Sequence, residues 1–194
     1  KITKTIEELA GEICPGSRPV YIDVDNTLSL SDEDDCFANV AKKMMADGGD
    51  FQFGWAVWEW PEVMLEAEFW AVWVNGQGQW VDVTPRARGE KVLFIADNET
   101  KPGEKPIDSL LKPIMHHPLV LQYIEISRSI WQKTDELTAA GKDEITVCER
   151  IAPMAARKEE LEKEIEKTIA GGVGRNDRCS CACTDGDPAK KTWR

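Results

Sequence analysis

A thiol near acidic residues is the chain's first candidate for chemistry. Cys36 stands in Asp35-Cys36-Phe37-Ala38-Asn39-Val40, where the acidic run 32–35 offers several caps for a helix that would carry the cysteine in its first turn. A thiol there is drawn toward ionisation by the positive end of the helix, while the neighbouring carboxylates oppose it. To act as a nucleophile it needs a group that takes its proton and a polar group that orients the first. Two later stretches, Glu66-Ala67-Glu68-Phe69-Trp70-Ala71-Val72-Trp73 and Val81-Asp82-Val83-Thr84-Pro85, supply polar partners in Glu68 and Asp82. Strand alternation puts Met64, Glu66, Glu68 and Trp70 on one face, opposite Leu65, Ala67, Phe69 and Ala71. A loop over 75–77 would pair Trp70 with Asp82, and one over 75–78 would pair Ala71 with it, which moves Asp82 to the other face.

The order and spacing over about residues 34–86 resemble a compact papain-like or transglutaminase-like cysteine site, in which the thiol opens a helix and its two partners sit on neighbouring strands. The resemblance implies an α+β fold with an antiparallel β-meander packed against helices. It makes Cys36 the nucleophile, with Asp82 or Glu68 as polar partner. Position 70 is where it would place histidine, and the chain has Trp70, which has no proton-accepting nitrogen. Two readings follow from it: a pseudoenzyme or binding protein on this scaffold, or an active thiol hydrolase or acyltransferase. The plain alternative makes Cys36 a small core residue among tryptophans that build the interior. His116 and His117, the two histidines, lie beside Pro118 at a predicted helix start, where a surface or capping role is expected.

Val20-Tyr21-Ile22-Asp23-Val24-Asp25-Asn26-Thr27-Leu28 resembles the first motif of the haloacid dehalogenase superfamily. That resemblance implies a magnesium-dependent phosphatase in which Asp23 attacks phosphorus and Asp25 serves as acid and base. Phe94-Ile95-Ala96-Asp97 is a partial candidate for the later acidic motif.

At the C-terminal side, Val173-Gly174-Arg175-Asn176-Asp177-Arg178-Cys179-Ser180-Cys181 resembles the opening of the SEC-C motif, a small zinc-binding module. The resemblance spans roughly residues 173–191 and implies zinc on Cys179, Cys181 and Cys183. The family's closing ligand pair is missing, so a tetrahedral site would draw on His117, Asp185 or a second chain.

These residues need elements to hold them. The 194-residue chain with 42% hydrophobic content supports one ordinary core, or a core with a small appendage. Residues 3–12 read as a helix, 19–24 as a strand, and the Cys36 helix runs to Gly48-Gly49. From Phe51 to Thr84 aromatic and β-branched residues dominate, six of the eight tryptophans among them, and three meander strands are expected. A strand over 91–96, a polar loop over 98–105, and helices over 118–137 and 154–170 complete the prediction. The last helix, with its stripe of Leu161, Ile165 and Ile169, reads as a half-solvated arm. The predicted division is an α+β core over 1–145, a helical arm over 146–172 and a cysteine tail over 173–194.

The net charge of −11 disfavours a nucleic-acid partner, since phosphate capture depends on clustered Lys and Arg. No apolar run reaches the length of a membrane span, and the first residues lack an apolar signal core. Three of the six cysteines crowd into 179–183 and the rest are scattered, unlike a secreted disulfide framework. A cytoplasmic protein with a protein partner and no membrane association is expected. Oligomeric state stays open.

Overall fold

The structure, a computed structural model, describes residues 1–26, 35–85, 91–103 and 107–168. Its elements run α1 (Lys4–Ile13), β1 (Val20–Val24), α2 (Cys36–Asp47), β2 (Asp50–Trp60), β3 (Met64–Val74), β4 (Trp80–Asp82), β5 (Lys91–Ala96), β6 (Leu110–Pro113), α3 (Pro118–Ala139) and α4 (Glu144–Thr168). Among the described residues two compact units emerge: Lys1–Glu59 with Leu65–Leu110, and Trp60–Met64 with residues 111–168.

In the first unit the strands close into a barrel. β2, β5, β1, β4 and β3 are neighbours in that order, and β2 also pairs with β3. β1 runs antiparallel to β5, with Tyr21 opposite Leu93, and parallel to β4, with Val24 opposite Asp82. The α+β class therefore holds, while the expected meander is only part of the sheet: its three strands are β2, β3 and β4, and β1 and β5 complete the circle. Burial shows why an open, one-sided meander would not suffice. Gly54, Trp55, Ala56, Val57 and Trp58 are buried in succession, so both faces of β2 are covered.

Alternation sorts the two faces. Ile22, Ala56, Trp58, Val72, Val92 and Phe94 form the inner cluster, with Trp70 and Trp80 packed against it. The other face meets α2, where Cys36 and Val40 pack on Ala71 and Val83. This layering places α2, and with it the thiol, against β3 and β4.

Both ends of α2 are fixed by side chains. Asp35 caps its start by accepting from the Ala38 N–H at 2.9 Å. At the other end Gly48 and Gly49 both have positive φ, of 71° and 89°. The Gly48 carbonyl accepts from Trp73 Nε1 at 2.8 Å, which ties the turn to β3. A side chain at Gly49 would run into the Val74 carbonyl oxygen and stand 2.7 Å from Trp73 Nε1, so the close approach admits only glycine.

The β3–β4 connection matches neither expected register. Val74 pairs with Trp80, leaving a five-residue turn over 75–79. Asn75 Oδ1 accepts from the N–H groups of both Gln77 and Gln79 at 3.0 Å, and Gly78 takes a positive φ of 77°. The register shifts by two relative to the shorter expected loop, so Asp82 still faces the side that carries Trp70.

The second unit is mainly α3 packed on α4. α4 starts well before the expected boundary and continues through Pro153. Its Val147, Ile151, Leu161 and Ile165 are buried, which repays the backbone bond that Pro153 cannot make. Asp143 anchors the start, accepting from Thr146 N–H and Oγ1, both at 2.9 Å. Within the same unit Trp60 meets Tyr123 edge-on at 5.7 Å between centroids.

Candidate functional site

Cys36 packs on the Ala71 face of β3, whereas Glu68, Trp70 and Asp82 lie by alternation on the opposite, inner face, with Asp82 and Glu68 near enough to act on the thiol electrostatically. Cys36 is the first residue of α2 and only 3% exposed. Its Sγ accepts from the Ala71 N–H at 3.4 Å. That bond comes from the residue after Trp70, whose side chain takes the alternate face and also packs against the Cys36 cluster.

Trp70 is tied to Asp82. Its Nε1 donates to Asp82 Oδ1 at 3.3 Å, and the Thr84 N–H donates to the same oxygen at 3.1 Å. Asp82 is fully buried, so these donors help to offset the cost of removing a carboxylate from water. A second indole–carboxylate pair lies alongside: Trp58 Nε1 donates to Glu68 Oε2 at 2.6 Å. The Trp58 and Trp70 rings meet nearly edge-on, 6.4 Å apart. Buried Glu66 shares this face by alternation, and one of its carboxylate oxygens has no hydrogen-bond partner.

The electrostatics hold the thiol protonated. Burial pushes Cys36 up to about 12, the Ala71 N–H pulls it down, and the carboxylates of Asp82, Asp35 and Glu68 push it further up. The helix-terminus effect that favours a thiolate is thus outweighed by desolvation and three nearby negative charges. Trp70 offers Asp82 a donor and offers Cys36 no acceptor.

Lys43 locks α2 from behind. It reaches Asp47 at 2.8 Å and Asp25 at 3.1 Å and lies 5.1 Å from the Trp73 ring centroid. These two carboxylates raise its pKa, Asp47 foremost. Sequence reading missed this pin. The spacing of Lys43 and Asp47 signals a helical ion pair, but the contact with Asp25 depends on the fold.

The residues of the phosphatase resemblance are used otherwise. Asp23 accepts from Lys91 Nζ at 2.5 Å, as its cross-strand position predicts, and Asp25 holds Lys43. β1 lies in a barrel between an antiparallel and a parallel neighbour, not in an alternating β/α sheet. Asp97 is buried and accepts from Trp55 Nε1 at 3.0 Å and from the N–H groups of Glu99 and Thr100 at 2.9 and 3.0 Å. It organises a turn. Among the described residues no three His, Cys, Asp or Glu side chains are grouped to hold a metal.

His117 caps α3, its Nδ1 accepting from the Leu119 N–H at 3.2 Å. Cys179, Cys181 and Cys183 lie outside the described residues. Among the described residues no helix is long and apolar enough to cross a membrane. Set against protein-family models, curated proteins and solved structures, the chain matches none of them.

Proposed function

We propose that this chain is a cytoplasmic binding protein, a pseudoenzyme on a papain-like or transglutaminase-like arrangement, with a protein partner and a zinc-binding cysteine tail. One observation carries the reading: the Trp70 indole, where a base would stand, donates to Asp82. In the arrangement the resemblance implies, a proton acceptor at position 70 would serve the thiol, and this chain carries a donor there instead. A thiol held near 12 contributes almost no thiolate at neutral pH. What is left is a rigid, tryptophan-lined arrangement suited to contact.

The test is brief alkylation with dilute iodoacetamide at neutral pH, read by peptide mass spectrometry. Cys148 is exposed and serves as the internal reference. The expected result is modification at Cys148 and none at Cys36. In parallel, hydrolysis of an activated thioester by the chain and by Cys36→Ala should proceed at equal rates. A rate that depends on Cys36 would overturn the reading in favour of an active thiol hydrolase.

A further inference from the structure

We propose that the groove between α2 and β2 docks an apolar segment of a basic protein. This names the partner class on the binding-protein reading above and rests on it. α2 contributes Phe37, Val40 and Met44 to the groove, β2 contributes Phe51 and Phe53, and β3 contributes Ala71. Ala71 is also the residue whose N–H holds the Cys36 sulfur, so the groove adjoins the thiol site.

The lining is aromatic and partly open. Phe37 is 38% exposed and Phe51 46%. Phe53 ties them into one surface, with ring centroids 6.1 Å from Phe37 and 4.5 Å from Phe51. Exposed aromatic rings beside one another are costly in water and gain on being covered. From Phe37 to Met44 the helix advances about 10 Å at roughly 1.5 Å per residue, room for two anchoring side chains.

Charge decides the occupant. Asp35 starts the helix at the Phe37 end, and Asp47 and Asp50 flank the turn at the Met44–Phe51 end, all three exposed. Asp47 is engaged by Lys43, which leaves Asp35 at one end of the groove and Asp50 at the other. Carboxylates at both ends of an apolar groove favour apolar anchors flanked by Lys or Arg. With a net charge of −11, a second copy of this chain is repelled, and so is a nucleic acid.

The experiment is fluorescence anisotropy on the full chain with a fluorescein-labelled Lys-Lys-Leu-Phe-Lys-Lys peptide. Its controls are Glu-Glu-Leu-Phe-Glu-Glu and Lys-Lys-Ser-Ser-Lys-Lys, compared at about 50 mM and about 300 mM salt. The first peptide should bind at least about tenfold more tightly than either control and weaken at high salt. Phe51→Ser should lose about tenfold in affinity, and Asp50→Asn should flatten the salt dependence. Equal binding of the acidic peptide would overturn the proposal. So would unchanged affinity in Phe51→Ser with an unaltered circular dichroism spectrum, or absent binding to the parent chain. These failures appear as a lack of selective binding, whereas failure of the binding-protein reading appears as Cys36-dependent turnover.

Discussion

Trp70 Nε1 donates to Asp82 Oδ1 at 3.3 Å, and the next residue's N–H reaches the Cys36 sulfur at 3.4 Å. One short stretch of β3 therefore links the helix-borne thiol to the buried carboxylate.

Trp70→His would put an imidazole where the indole now packs against both the Asp82 side of β3 and the Cys36 cluster. The expected outcome is faster alkylation of Cys36 at neutral pH, by about a hundredfold or more, because each unit by which the thiol pKa falls yields about ten times more thiolate. The variant should also lose roughly 1–3 kcal/mol of stability through lost indole packing. Unchanged alkylation of a folded Trp70→His protein would mean that the site has lost more than its base.

Acid should act on Asp97 only at low pH. Burial raises its pKa, but the N–H of Thr100, the Trp55 indole and the N–H of Glu99 outweigh burial and lower it from 3.8 to about 2. Because the folded value lies below the ordinary one, this stabilisation is present above pH 3.8 and is lost as the pH falls toward about 2. Urea unfolding across that window should show a flatter profile for Asp97→Asn than for the parent, and parallel profiles would remove the assignment.

Base should act on Cys36 in the opposite sense. Its folded value is raised from 9.0 to about 12, so its contribution is complete below 9.0 and declines as the pH rises toward about 12. Cys36→Ala should lessen the alkaline loss of stability, measured by the same urea titration; an unaltered alkaline limb would contradict it.

Gly49→Ala should destabilise the protein by about 2 kcal/mol or more, combining a positive φ with a collision at the Val74 carbonyl and Trp73. Thermal unfolding reads this directly. Gly76→Ala, where an added carbon meets nothing within 4 Å, is the matched control.

The cysteine tail is tested by metal analysis of the full chain beside a chain ending at Gly172. The expected result is about one zinc per tail site in the first and none in the second. Equal zinc in both would dispose of the tail as a metal ligand.

Local signals were the legible ones. The Asp35 cap, the apolar positions of α2 and the Gly48-Gly49 stop located the Cys36 helix because each acts within a turn of itself. The expected start of α4 at 154 is ten residues late, since buried Ile151 and Leu161 on either side of Pro153 outweigh its missing backbone bond. β6 escaped notice because Leu-Leu-Lys-Pro is too short to carry a period. At the site, strand alternation correctly put Glu68 and Trp70 on one face. The partner of Asp82 hung on how many residues Asn75 could gather into its turn, which loop length alone does not specify. Barrel closure was hidden for a different reason: Val24 meets Asp82 through a pairing that no local pattern announces.

That parallel pairing of β1 with β4 also bears on how the chain reaches its native state. β1 is made early, yet its partners on both sides belong to strands made much later, β4 and β5. Forming these pairs closes long loops before their contacts reward the lost freedom, so folding of this unit should be governed by high contact order and proceed slowly compared with helical bundles. During synthesis β1 must wait, its two flanks unsatisfied, until the tryptophan hairpin and β5 have emerged, and until then both of its edges are open to wrong pairing.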